Sequence, residues 1–200
     1  MYISRCSRVV KALGPVMLPY QLTICGLNEL SEVIPSGISH VISILDPDWP
    51  IPSELASIGA DKRVVFHFDD VTIPKEGRMV PGTADVEKLL DWGRRLLPGD
   101  GNHLLVHCHA GVSRSTAAAA ILMLDQNPGL EDQVFREIDA LRPRNWPNSM
   151  MVRLADDLLN CQGKFVAELR NHHARVAERN PDLAELIRLH GRAHEVPEAT

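Results

Sequence analysis

A chain of 200 residues, 44% hydrophobic and 24% charged, is long enough for one globular domain with its own core and is not composed like a disordered chain. Its net charge of −5 provides no bulk basic field for nucleic acid or anionic lipid, so neither partner is expected and any anion must be held by a local site. The four cysteines, Cys6, Cys25, Cys108 and Cys161, form no CxxC pair. A disulfide framework and a structural zinc site are therefore not expected, and reduced thiols in the cytoplasm are the simplest reading.

In residues 1–16, Arg5, Arg8 and Lys11 precede a short apolar stretch as in a leader peptide. Gly14 and Pro15 interrupt that stretch and no small-residue cleavage site follows, so 1–16 is read as a flexible tail. It precedes a main domain over 17–162 and a helical extension over 163–200. No apolar run approaches the roughly 20 residues that span a bilayer.

Gln21–Gly26 reads as a strand and Leu27–Ile34 as a short helix. His40–Leu45 is an apolar strand stopped by Asp46-Pro47, and prolines 47, 50 and 52 make the next stretch a loop. Arg63–Phe68 is a third strand, followed by a polar loop from Asp69 to Gly77. Thr83–Leu97 is a helix with Thr83 as its cap, and 98–101 is a loop. His103–His107 is a fourth strand, and Ser115–Leu124, Leu130–Leu141 and Asn148–Cys161 are helices. This alternation implies an α/β fold, a central and mostly parallel sheet flanked by helices. From Lys164 to Ala193 the chain is charged and helical, interrupted at Asn180-Pro181. Phe165, Leu169 and Val176 form an apolar stripe there that suits docking on the domain.

The chemistry is concentrated in Leu104–Thr116, where His107-Cys108 is followed by five residues, then Arg114 and Ser115. A five-residue loop between a strand end and a helix start can turn the N–H groups of His109, Ala110, Gly111, Val112 and Ser113 towards one centre. Such a nest, at the positive end of a helix, binds an oxyanion. Gly111 supplies backbone freedom, and Arg114 offers a planar fork for two phosphate oxygens. Cys108 sits in the same positive field, which favours thiolate over thiol. Ser115 can donate a hydrogen bond to the sulfur.

The string HCHAGVSRST resembles the signature of the cysteine-based protein tyrosine phosphatase superfamily, His-Cys-x5-Arg-Ser/Thr. In its compactness the chain is similar to the dual-specificity branch, and most of all to the small bacterial tyrosine-phosphatase-like proteins. The resemblance implies a phosphotyrosine-phosphatase-like fold of the dual-specificity type. It implies hydrolysis of a phosphorylated protein or small phosphate ester through a cysteinyl-phosphate, with no metal and no cofactor. It places a general acid on a loop before the cysteine. Asp70 is the expected acid, and Asp69 is the alternate, read as a solvated carboxylate at a strand end. It gives His107 a loop-holding role and makes Asn148, after Arg142 and Pro147, a brace of the phosphate loop. From its position Asn148 is also a helix N-cap.

A phosphoinositide or small-molecule phosphatase is an alternative, although residues 109–113 lack the lysines such enzymes often carry. A rhodanese-like sulfur transferase is a second, opposed by Ser115-Thr116 and the upstream aspartates. A non-catalytic phosphate-binding module is a third, opposed by the presence of both Cys108 and Arg114. Cys25, next to a strand end, is expected to approach Cys108 closely enough for a protective disulfide.

Overall fold

The computed structural model describes residues 18–96 and 102–197. The expected tail at 1–16 and the loop at 98–101 lie outside the described residues. Segments rich in Val, Ile and Leu form four strands: β1 (Gln21–Gly26), β2 (His40–Leu45), β3 (Arg63–His67) and β4 (His103–Cys108). They lie in the order β1-β4-β2-β3 and all pairings are parallel. Every residue of β4 is buried, as a strand with neighbours on both edges and cover on both faces requires.

The two faces are covered differently. Leu22, Ile24, Ile42, Ile44, Leu104, Val106 and Cys108 belong to the main core. They share it with the helices α2 (Thr83–Arg94), α3 (Arg114–Gln126), α4 (Glu131–Leu141), α5 (Ser149–Leu158) and α6 (Lys164–Arg179). Cys25, Val41 and Leu105 instead pack with Leu30 and Val33 of the single turn α1 (Leu30–Val33), and with Ile38, Leu55 and Ile58.

Two sequence expectations are corrected here. Thr83 is the first helical residue of α2 and not its cap. Gly82 holds the cap position, and the Asp85 carboxylate reaches back to accept its N–H at 2.9 Å. A carboxylate at the third helical position reaches that amide and also complements the positive end of the helix. The Cys25–Cys108 disulfide is not supported by the sheet register, which pairs Cys25 with His107 and Gly26 with Cys108. Successive side chains leave a strand on opposite faces, so the two thiols belong to different cores.

The extension is packed into the body of the protein. Phe165 and Leu169 of α6 enter the main core, and the Phe165 ring stacks on Phe135 at 5.1 Å. The helix α7 (Pro181–Ile187) starts on the expected proline, whose missing N–H costs nothing at that position. Val176, Leu183, Ile187 and Val196 close a smaller core around the buried Trp146. Among the described residues, no helix is long and apolar enough to cross a membrane.

Candidate active site

β4 ends on Cys108 and α3 begins on Arg114, so residues 109–113 must turn within one short loop. Its carbonyls are held from outside. His109 O accepts from Leu27 N at 3.0 Å, Val112 O from Trp146 N at 2.8 Å, and Ser113 O from Asn148 N at 3.3 Å. Arg142 donates to the remaining two, through Nε to Gly111 O at 3.0 Å and through Nη2 to Ala110 O at 3.3 Å. Arg142 is itself clamped by both carboxylate oxygens of Glu29 at 2.8 Å, and Glu29 also takes the Gly26 N–H at 2.7 Å.

A trans peptide is planar, with its N–H opposite its C=O. Carbonyls turned outward from His109 to Ser113 therefore turn the amides of Ala110 to Arg114 inward, towards the cradle. The loop is also pressed against the end of β1. Gly111 has φ +67°, and a Cβ there would lie 2.5 Å from the backbone of Cys25 and Gly26. No side chain fits that position, which is the reason for glycine in the middle of the loop.

Cys108 is buried, and its Sγ lies 3.2 Å from Ser115 Oγ. Arg114 is buried too. Its Nη1 donates to Phe68 O at 2.6 Å and faces the Asp46 carboxylate at 2.7 Å, while its Nε is buried with no partner among the described residues. His107 points away from the sulfur, with Nε2 at 2.7 Å from Ser43 Oγ on the neighbouring strand. Burial pushes its pKa down to about 4, so the ring is neutral near pH 7. His109 places its ring against Trp49, with centroids 4.7 Å apart, and accepts from Asp46 N at 3.2 Å.

The two candidate acids differ sharply. Asp69 is buried and not solvated as expected: Oδ1 accepts from Arg78 at 2.8 Å and Oδ2 from Met79 N at 2.7 Å. With both oxygens engaged, Asp69 closes the 69–79 loop. Asp70 has a side chain 35% exposed and borders the same cavity as Cys108. Its Oδ1 collects Ser113 Oγ at 2.7 Å, Asn148 Nδ2 at 2.9 Å and Arg192 Nη1 at 3.3 Å, whereas Oδ2 has no donor among the described residues. Desolvation raises the Asp70 pKa, but Arg192, Arg114 and the Asn148 and Ser113 bonds together carry it below the ordinary carboxylate value. Asn148 is the helix cap expected of it, but its side chain holds the acid segment and not the phosphate loop, which only its backbone N–H reaches, at Ser113 O. Its Oδ1 caps α5 by accepting Met151 N at 3.1 Å, and its Nδ2 holds Asp70 and Val71 O.

No protein-family model matches the chain. Among solved structures it superimposes on the PTP-2 phosphatase of Cydia pomonella with a TM-score of 0.55 and 24% identity, over 68% of this chain and 84% of that one. Human DUSP28 superimposes with a TM-score of 0.52 and 16% identity, over 70% and 92%. The chain has the fold of the cysteine-based protein tyrosine phosphatases, dual-specificity branch. In sequence, a curated relative is human protein phosphatase Slingshot homolog 3, 27% identical over 147 residues. That match covers 72% of this chain and 20% of the relative, so the chain spans about a fifth of its length.

Within this phosphatase fold, Cys108, His109, Ala110, Val112, Ser113, Arg114 and Asp70 border one cavity of about 740 Å³, with Ser115 behind the sulfur and Asn148 behind Asp70. Sequence reading missed Glu29, Asp46 and Arg192. Glu29 and Arg192 act through partners more than 100 positions away, and no local pattern marks them. One side of the cavity wall is equally unforeseen: Leu183, Leu186, Ile187, His190, Gly191 and Arg192 of the extension form it. Among the described residues, no cluster of His, Cys, Asp or Glu could hold a metal ion.

Proposed function

We propose that this chain is a cysteine-dependent phosphate monoester hydrolase of the protein tyrosine or dual-specificity phosphatase type. The observation that carries the proposal is the outward anchoring of the loop carbonyls, which turns a ring of amides towards the space over Cys108 Sγ, with the Arg114 guanidinium bordering the same cavity. A tetrahedral phosphate dianion is the ligand that satisfies such a set of donors.

The reaction takes two steps. In the first, a bond forms from Cys108 Sγ to phosphorus, the ester P–O bond breaks, and Asp70, protonated as the phosphate dianion entering its cavity raises its proton affinity, gives that proton to the leaving oxygen. In the second, water attacks phosphorus, its proton goes to Asp70, and the P–S bond breaks. Ser115 stabilises the departing thiolate through its hydroxyl. Charge building on the equatorial oxygens is met by fixed amides and the Arg114 guanidinium. Asp70 is assigned as the acid because it borders the cavity and its Oδ2 has no donor among the described residues, while both oxygens of Asp69 are engaged.

Substrates are phosphorylated proteins or small phosphate esters, with tyrosine or dual specificity the preferred reading. A phosphoinositide is less favoured, because residues 109–113 carry no lysine. Chemistry through a reduced thiolate suits a cytoplasmic setting. The test is hydrolysis of para-nitrophenyl phosphate and a panel of phosphopeptides by the full chain. Turnover inhibited by vanadate and absent in Cys108→Ser is expected. Release of thiocyanate from thiosulfate and cyanide, without phosphatase activity, would establish the sulfur-transferase alternative instead.

A further inference from the structure

Arg192 lies in the turns that follow α7, just after Gly191, whose φ of +80° sends the chain back over the site. Although it belongs to the charged extension, it is only 5% exposed. Its Nη1 donates to Ser113 Oγ at 2.7 Å and to Asp70 Oδ1 at 3.3 Å, and its Nε donates to Glu195 Oε2 at 2.6 Å. Glu195 is anchored in turn, accepting from Trp146 Nε1 at 3.1 Å and from Ser149 N at 3.2 Å. Trp146 stacks on His173 at 4.2 Å and donates its backbone N–H to Val112 O in the phosphate loop. The guanidinium is thus held at both ends, one end on the candidate acid and the other on the scaffold that shapes the cradle.

We propose, on the phosphatase reading above, that Arg192 is a positioning residue for the acid step, locking Asp70 to Ser113 and so making turnover depend on the docked segment 181–195. A buried guanidinium beside a carboxylate gains little net stability, because both groups lose their hydration. What it supplies is orientation. With Arg192, Ser113 and Asn148 all bound to Oδ1, the Asp70 carboxyl is fixed in plane, and Oδ2 is left to carry the transferred proton. When Asp70 becomes a carboxylate after the first step, the same three donors stabilise it.

The charged and titratable groups facing Asp70 are Arg114 and His109 from the loop and start of α3, and Arg192 from the extension, with Glu195 behind Arg192 partly neutralising it. Removing the Arg192 charge therefore moves the proton affinity of Asp70 upward. Removing the Glu195 charge moves it downward.

The experiment is the pH dependence of kcat and kcat/KM for para-nitrophenyl phosphate with the full chain and its Arg192→Gln, Arg192→Lys and Glu195→Gln variants. Arg192→Gln is expected to lower kcat about tenfold, to leave KM within about twofold, and to move the descending limb up by about one pH unit. Arg192→Lys keeps the limb near its original place. Glu195→Gln moves it the other way, and it carries the test should Arg192→Gln not fold. A limb unmoved in the folded variants, or an effect on KM alone, overturns the proposal. Protection of Cys108 from iodoacetate by vanadate separates this from failure of the phosphatase reading. If wild-type protein shows no protection, the cradle itself is misread. If protection persists while the limb stays put, only the role of Arg192 is lost.

Discussion

The halves of the site that hold the proposed nucleophile and the proposed acid are built in opposite ways. Cys108, the loop, Arg114 and Ser115 are consecutive in sequence, and the fold adds anchors to a unit whose outline is already local. Asp70 has no such unit. It is placed by Ser113 of the phosphate loop, Asn148 at the start of α5 and Arg192 in the turns after α7, none of them in the sheet. The proposed thiolate therefore rests on a strand end and a helix start, whereas the proposed proton donor rests on how later segments dock.

The contrast can be broken most decisively at its two centres. Cys108→Ser is expected to reduce turnover below detection while vanadate binding, measured by calorimetry, survives. Asp70→Asn is expected to lower kcat by about 10²–10³-fold with little change in KM, because only the proton donor is lost. Asp69→Asn should instead lower the melting temperature, since it weakens the ties to Arg78 and Met79, and should leave the shape of the pH profile intact. If Asp69→Asn reproduced the kinetics of Asp70→Asn, the assignment of the acid would be wrong.

Substitutions at the anchors sharpen the comparison. Glu29→Ala leaves Arg142 unpaired in a pair only 12% and 14% exposed, a change that typically costs about 3–5 kcal/mol. Melting and activity should fall together, because Arg142 holds two loop carbonyls. Gly111→Ala forces a side chain against the β1 backbone and should weaken vanadate binding as well as stability. A normal vanadate affinity in that variant would mean the loop has room the geometry denies.

The smallest effect at neutral pH concerns the two buried histidines of α6. Burial pushes His172 down to about 4 and His173 well below its usual value. Both are neutral near pH 7 in the folded and unfolded chain. As pH falls below about 6.5, the unfolded chain takes up protons that the folded one refuses, so stability is lost from there down to about pH 4. Chemical denaturation at pH 7 and pH 5 should show this loss, and His172→Gln should reduce it.

The strands and the loop were legible because a short strand–loop–helix unit carries its own pattern. Asn148 was legible for the same reason, sitting where a cap belongs. The roles of Glu29 and Arg192 were not, because each bonds a group on a distant segment and looks in sequence like an ordinary surface charge. Asp69 looked equally ordinary, and its burial follows only from the return of 78–79 onto β3. The Cys25 expectation failed for a simpler reason. Proximity along neighbouring strands does not specify which face a side chain leaves.

The inner position of β4 has a consequence for how the site would come apart. Amides in a strand paired on both edges exchange with solvent only when much of the protein opens, whereas turns near the end of the chain open on their own. Deuterium should therefore enter residues 188–195 long before it reaches Val106 or His107. Under mild denaturant the protein would pass through a form that keeps its sulfur seated and has already let go of the proposed proton donor.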